Sequence, residues 1–144
     1  MIDLALASVL IAIAALHAYW GVGGRWPGHD DLSLARAVAG FRGIRAMPSP
    51  AACFAVAATL VAAALWVLLV SGRIASSVPH VLLSAAGLIL SLVFVARGAA
   101  AYLPAWRRLT PEQPFARLDQ SVYGPLCLII GLAAAIVTVT GTHA

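Results

Sequence analysis

Four long apolar segments dominate the chain, at residues 2–20, 50–70, 79–101 and 121–140, and polar stretches containing glycine and proline separate them. A helix of about 20 residues is about 30 Å long, which matches the hydrocarbon core of a bilayer. In lipid the backbone polar groups need partners within their own segment, and a helix supplies them. The pattern therefore predicts an all-α integral membrane protein, a single four-helix bundle spanning residues 1–144.

The composition also indicates that lipid is the solvent for the outer face. The chain is 62% hydrophobic and 10% charged, whereas a soluble domain is about 45–50% apolar and about 25% charged. The first segment resembles a signal peptide in length, but Asp3 stands where such a peptide carries basic residues. We therefore expect residues 2–16 to be kept as part of the first span.

The arginines are distributed unequally between the two sides of such a bundle. Eight belong to the first and third connections or the helix ends beside them, whereas Arg73 alone belongs to the second connection. The eight are Arg25, Arg36, Arg42, Arg45, Arg97, Arg107, Arg108 and Arg117. The positive-inside rule then predicts cytoplasmic long loops and both termini outside. Since the basic residues form no long run, we expect no nucleic-acid partner.

The two long connections contain signals for short surface helices. Asp31 is a candidate cap for an interfacial helix over residues 32–47, with Leu34, Val38, Phe41 and Ile44 on one face. In the third connection, Thr110 followed by Glu112 and Gln113 resembles a capping box, which predicts a helix there. An irregular loop is the alternative, since Pro114 follows.

Two motif blocks resemble those of a known family. The blocks are His17-Ala18-Tyr19-Trp20 with Gly23-Gly24 and Trp26-Pro27, and Phe115 with Leu118-Asp119 and Tyr123-Gly124-Pro125-Leu126-Cys127. The whole chain resembles a family of small four-helix bacterial membrane proteins known as a domain of unknown function. The resemblance implies four spans in the cytoplasmic (inner) membrane of a bacterium and a cluster of motif residues at their cytoplasmic end. It implies no activity.

Polar side chains interrupt the apolar segments near that end. Asp119, Tyr123 and Cys127 are spaced i, i+4, i+8 and form one stripe on a regular helix, although Pro125 can disturb the register. The stripe is either an inward polar seam or a dipole-stabilising carboxylate, an interfacial tyrosine and a buried structural cysteine. His17, beside Tyr19 and Trp20, is a candidate proton donor or acceptor, a metal or haem ligand, or a partner of Asp119.

Arg97 follows a long apolar run, and two interpretations are open for it. In the first, which the sequence favours, its side chain extends along the helix to the lipid headgroups. In the second, the side chain turns inward and pairs with Asp119 or with an anionic group of a ligand. The histidines His17, His29, His80 and His143 offer no pair at matched depth for haem, and clustered zinc ligands are missing, so no metal or cofactor is predicted. Cys53 and Cys127 form no Cys-x-x-Cys motif, and inert packing is the favoured interpretation.

These residues support three hypotheses for function. The first is a membrane enzyme or binder for an apolar small molecule such as a lipid, quinone or terpenoid. In it His17 is the acid or base, Asp119 is its orienter or a second base, and Tyr123 or Arg97 is the charge stabiliser. Tyr19, Trp20 and Cys127 would complete the binding site. The second is an accessory subunit or a homo-oligomeric scaffold that uses small-xxx-small pairs such as Gly87 with Ser91 and Gly131 with Ala135. A small transporter ranks last, and the sequence does not decide whether the protein is an enzyme.

Overall fold

The computed structural model describes residues 1–141, and the described chain is helical with no strand. The predicted all-α class is therefore confirmed. The elements are α1 (Ile2–Gly21), α2 (Asp31–Val38), α3 (Pro50–Val70), α4 (His80–Ala100), α5 (Pro104–Leu109), α6 (Phe115–Leu118), a π-helical turn (Asp119–Tyr123) and α7 (Gly124–Gly141). His143 lies outside the described residues.

Four helices are long and apolar enough to cross a membrane: α1, α3, α4 and the continuous helix Phe115–Gly141 formed by α6, the π-helical turn and α7. Their outer surfaces carry large aliphatic side chains that no protein atom covers. On α4, for example, Val81 is 72% exposed and Leu92 is 68% exposed. Apolar patches this extensive are rare on soluble monomers and are ordinary where lipid covers them.

The spans pack as two helix pairs, α1 against α3 and α4 against α7. Small residues allow the second pair to approach closely. The Ser91 hydroxyl donates a hydrogen bond of 2.8 Å to the Gly131 carbonyl, and a Cβ at Gly131 would meet the Val95 backbone nitrogen at 2.9 Å. Gly87 lies against Trp66 and Thr138. The small-xxx-small residues are therefore used within the chain.

The apolar core joins the two pairs. It includes Leu6, Leu10, Leu60, Val67, Ile130 and Val137. We call the end formed by residues 22–49 and 101–114 the loop end and the opposite one the terminal end. At the terminal end Asp3 is buried and pairs with Arg73 at 2.6 Å, which ties the start of α1 to the α3–α4 connection. The Asp3 carboxylate raises the pKa of Arg73, the one charged residue of the α3–α4 connection.

Helix α2 is shorter than the sequence predicts. Its cap is Asp30, whose side chain accepts from the Ser33 backbone N–H at 2.7 Å and whose pKa this bond lowers. The helix ends at Val38 because Gly40 follows with a φ of 63°, a left-handed conformation that stops a helix. The expected helix over residues 32–47 is thus wrong in its second half, and Phe41 and Ile44 lie beyond it.

The expected capping box at Thr110 is also wrong. Thr110 ends α5, and its hydroxyl donates to the Trp106 carbonyl at 3.0 Å. Glu112 accepts from the Gly43 backbone N–H at 3.1 Å and pairs with Arg36 at 3.5 Å. Thr110 therefore caps no following helix, and residues 110–114 form the irregular connection that was the alternative.

Candidate functional site

A cavity of about 520 Å³ lies between the two helix pairs, in the half of the bundle nearer the loop end. Its aliphatic lining comes from α1, α2, α3 and α7, while α4 contributes Phe94 and Arg97. Five aromatic residues contribute to the wall: Trp20, Trp26, Phe94, Phe115 and Tyr123. His17, Arg97 and Cys127 add the other polar groups. A mostly apolar cavity of this size, with a few convergent polar groups, is typical of small-molecule sites.

His17 lines this cavity from the last turns of α1. Its Nδ1 lies 2.9 Å from the carbonyl oxygen of Ile13, four residues earlier. A carbonyl only accepts hydrogen bonds, so Nδ1 carries the hydrogen, and Nε2 of the neutral ring is the free acceptor. The ring also packs edge-on against Trp20, with centroids 5.0 Å apart. The helix itself therefore orients a hydrogen-bond acceptor at the cavity wall.

Arg97, near the end of α4, is held by two groups outside the cavity lining. Its Nη2 donates to Asp119 Oδ1 at 2.6 Å, and the guanidinium carbon lies 5.0 Å from the centre of the Trp106 ring. The Trp106 indole N–H donates to the other oxygen, Asp119 Oδ2, at 2.8 Å. Asp119 is only 2% exposed. The pairing with Asp119 is therefore the correct interpretation of Arg97, and the favoured snorkelling one is wrong.

The guanidinium of Arg97 is incompletely satisfied. Nη1 is buried and has no hydrogen-bond partner among residues 1–141, and no other buried side-chain nitrogen or oxygen in that range lacks one. Buried N–H groups are nearly always paired, because an unmade hydrogen bond leaves the cost of removing water uncompensated. Arg97 itself lines the cavity and its side chain is 32% exposed, so the guanidinium lies at the wall although Nη1 is buried behind it.

The π-helical turn changes which residues share a face. Pro125 has no N–H for the carbonyl of Ser121, four residues earlier, and the wide turn lies directly before Gly124, whose N–H bonds to the Asp119 carbonyl. Asp119 consequently leaves the predicted stripe and lies against Arg97. Tyr123 and Cys127 both line the cavity, as the stripe requires of them.

Tyr123 connects the cavity wall to the first long loop. Its hydroxyl donates to the Ala37 carbonyl in α2 at 3.1 Å, and its ring contacts Phe115 at a centroid distance of 5.7 Å. Cys127 lies one turn further into the bundle. Both Cys127 and Cys53 are free thiols, and Cys53 is buried outside the lining.

The other predicted residues divide between the wall and its surroundings. Trp20 lines the cavity, and its indole N–H donates to the Trp26 carbonyl at 2.8 Å, which ties residue 26 to the end of α1. Tyr19 lies outside the lining and is 43% exposed. The expected pairing of His17 with Asp119 is wrong, because their hydrogen bonds go to Ile13 and to Arg97 with Trp106.

Several residues of the site escaped the sequence-based prediction. Trp106 is not among the candidate residues from the sequence, yet it donates a hydrogen bond to Asp119 and places its ring face beside Arg97. Phe94 lines the cavity without a polar group that would have distinguished it in an apolar chain. Trp26 and Pro27 also line it; they belong to the first motif block but were not candidate site residues. No group of three His, Cys, Asp or Glu in the described part of the chain is arranged to hold a metal ion.

Comparison with known proteins identifies one family. The sequence model of a family described as "Protein of unknown function (DUF3995)" matches residues 10–134, which is most of the chain and includes every cavity-lining residue. No curated protein and no solved structure matches the chain.

Proposed function

Since the chain belongs to the DUF3995 family of proteins of unknown function, we propose its function from the cavity: it is a membrane protein that binds a small, mainly apolar molecule between its two helix pairs. The observation that carries this proposal is the cavity of about 520 Å³ with polar groups at His17, Arg97, Tyr123 and Cys127. Known ligand pockets have volumes of about 300–1,000 Å³. Lipids, quinones and terpenoids are the classes of membrane-soluble molecule that such a cavity fits.

The location of the cavity supports a ligand that arrives through the membrane. It is lined by spans whose outer faces are apolar, and it lies between the helix pairs rather than inside either pair. A molecule dissolved in the hydrocarbon can therefore reach it laterally. The polar groups at the loop end would bind the head of the molecule, and the aliphatic wall around Leu60 and Ile130 would cover its tail.

We further propose that the loop end is cytoplasmic and that both termini lie outside, in the cytoplasmic membrane of a bacterium. Six of the nine arginines lie in the loop end, Arg97 and Arg117 lie in the helix ends beside it, and Arg73 at the terminal end is neutralised by Asp3. Such an imbalance is the usual orientation signal of multi-pass proteins. An alkaline phosphatase fused after residue 144 should be active and a fluorescent protein at the same site dark; the reverse pattern would overturn the orientation.

The binding proposal is tested by purifying the protein in mild detergent and identifying bound molecules by mass spectrometry of an organic extract. We expect one class of apolar molecule at a stoichiometry near one per chain. An extract with only the bulk lipid composition, together with no binding of added lipid, quinone or terpenoid probes, would refute the proposal.

A variant pair links the bound molecule to the cavity. His17→Phe keeps a ring of similar shape but removes the acceptor Nε2, so it should lower ligand occupancy while the protein remains folded. His80→Phe is the matched control, because His80 is exposed at the start of α4, away from the lining. Equal ligand occupancy in both variants would show that His17 does not contribute to binding of the molecule.

A further inference from the structure

The charges around the cavity restrict the head group of its ligand. Arg97 is the one charged residue of the lining within residues 1–141, and Asp119 balances it at 2.6 Å. An anionic head group would have to compete with a buried carboxylate for the same guanidinium, and no second cation in the described wall would compensate it. A cation would meet Arg97 itself. The wall therefore favours a head group without net charge.

The hydrogen-bonding groups restrict it further. The Arg97 guanidinium lines the cavity and is not fully satisfied by protein groups, so an acceptor on the ligand would complete its hydrogen bonding. His17 Nε2 is an acceptor on the same wall, because Nδ1 donates to Ile13. A neutral group that accepts at one position and can donate at another satisfies both residues. Carbonyl and hydroxyl oxygens on one framework have these properties.

The aromatic lining indicates the shape of that framework. The side chains of Trp20, Trp26, Phe94, Phe115 and Tyr123 surround the same space. Flat rings pack well against such side chains, in stacked or edge-to-face arrangements. A saturated acyl chain would gain nothing specific from five aromatic neighbours.

We propose that the ligand is a quinone, a planar ring carrying carbonyl groups and an apolar tail. This inference rests on the proposed binding function. One quinone carbonyl accepts a hydrogen bond from the Arg97 guanidinium, and in the reduced form a ring hydroxyl donates to His17 Nε2. The tail follows the aliphatic wall between the helix pairs. Asp119 and Trp106 act as positioning residues, since they hold the guanidinium without lining the cavity.

The test compares two probes in lipid nanodiscs. Decylubiquinone carries the carbonyl ring and a ten-carbon tail, whereas decylbenzene carries the same tail on a ring without oxygen. Binding of decylubiquinone is followed by quenching of tryptophan fluorescence, since Trp20 and Trp26 line the cavity, and decylbenzene is added as a competitor. We expect saturable quenching that decylbenzene reverses only at concentrations at least about tenfold higher, because it lacks the hydrogen bonds.

The variant that isolates the donor is Arg97→Lys. Lysine keeps a positive charge for Asp119 but has a single nitrogen, so it loses the other donors of the guanidinium. We expect decylubiquinone affinity to fall about tenfold and decylbenzene affinity to stay unchanged. Arg117→Lys is the control, since Arg117 is exposed at the loop end and lies outside the lining. If Arg97→Lys does not fold, the double variant Arg97→Leu with Asp119→Leu replaces it, with the same expected loss.

The outcomes separate the two proposals. If decylbenzene binds as well as decylubiquinone, or if Arg97→Lys and its replacement leave quinone affinity unchanged, the quinone inference is wrong and the binding function stands. A short-chain phosphatidylglycerol is tested as a second competitor. If it binds more tightly than decylubiquinone, the site selects an anionic head group and the inference is also wrong. If no probe binds and no molecule co-purifies, the binding function fails.

Discussion

Arg97 Nη2 lies 2.6 Å from Asp119 Oδ1, and this ion pair joins the end of α4 to the π-helical turn of the fourth span. Both residues belong to apolar segments, where an isolated charge would be costly. The pair also leaves one guanidinium nitrogen without a protein partner. A single contact thus connects the packing of the second helix pair to the chemistry of the cavity.

Removing one member of this pair should destabilise the fold strongly. Asp119→Leu leaves Arg97 without a counter-charge, and we expect the free energy of unfolding to fall by about 3 kcal/mol. The double variant Arg97→Leu with Asp119→Leu removes both charges and should recover most of that loss. Unfolding in mixed micelles of increasing dodecyl sulfate fraction measures both.

The matched control for the ion pair is Arg25→Leu. Arg25 pairs with Asp31 at 2.9 Å, but both side chains are more than half exposed. An exposed pair contributes about 0–1 kcal/mol, so this variant should be close to wild type. If the double variant Arg97→Leu with Asp119→Leu is as unstable as Asp119→Leu alone, burial of an unpaired charge is not the cause of the lost stability.

Trp106→Phe should separate the two contacts of that indole. Phenylalanine keeps a ring face beside Arg97 but loses the N–H that donates to Asp119 Oδ2. Hydrogen bonds to charged groups contribute about 1.5–3 kcal/mol, so the free energy of unfolding should fall within that range. Trp20→Phe removes an exposed indole bond to Trp26 and should cost less. Equal losses would argue against a special role for Trp106.

Tyr123→Phe should loosen the loop end over the cavity. The variant removes the hydroxyl that donates to the Ala37 carbonyl at 3.1 Å and keeps the ring beside Phe115. We expect a loss of about 1 kcal/mol in stability and faster alkylation of Cys127 by a small maleimide, measured with Cys53→Ala in the background. Tyr102→Phe loses an exposed bond to Gln120 and serves as the control. An unchanged alkylation rate would mean that α2 does not restrict access.

Gly131→Ala should force the second helix pair apart. The new Cβ would meet the Val95 backbone nitrogen at 2.9 Å and the Ser91 carbonyl oxygen at 3.0 Å, so the backbone of α4 has to move. Overpacking of this kind costs about 1–3 kcal/mol. Leu132→Ala, on the exposed side of the same turn, should have a smaller effect on the helix contact. Unchanged stability in Gly131→Ala would show that α4 and α7 tolerate a wider separation.

The sequence by itself determined the helical class and the four apolar helices, because hydrophobicity is a local property that sums along a segment. It also drew attention to His17, Arg97, Tyr123, Cys127 and Trp20, since a polar or amphipathic side chain is conspicuous among alanine, leucine and valine. All five line the cavity. Polarity within an apolar segment was a sufficient signal for these positions.

The tertiary structure decided which of these residues interact. The choice of Arg97 over His17 as the partner of Asp119 depends on the rotation of the fourth span, and the π-helical turn before Pro125 sets that rotation. The role of Trp106 depends on the path of α5, and that of Glu112 depends on contacts with the distant Gly43 and Arg36. Local patterns carry no information about such distant partners, because only packing brings them within hydrogen-bonding distance.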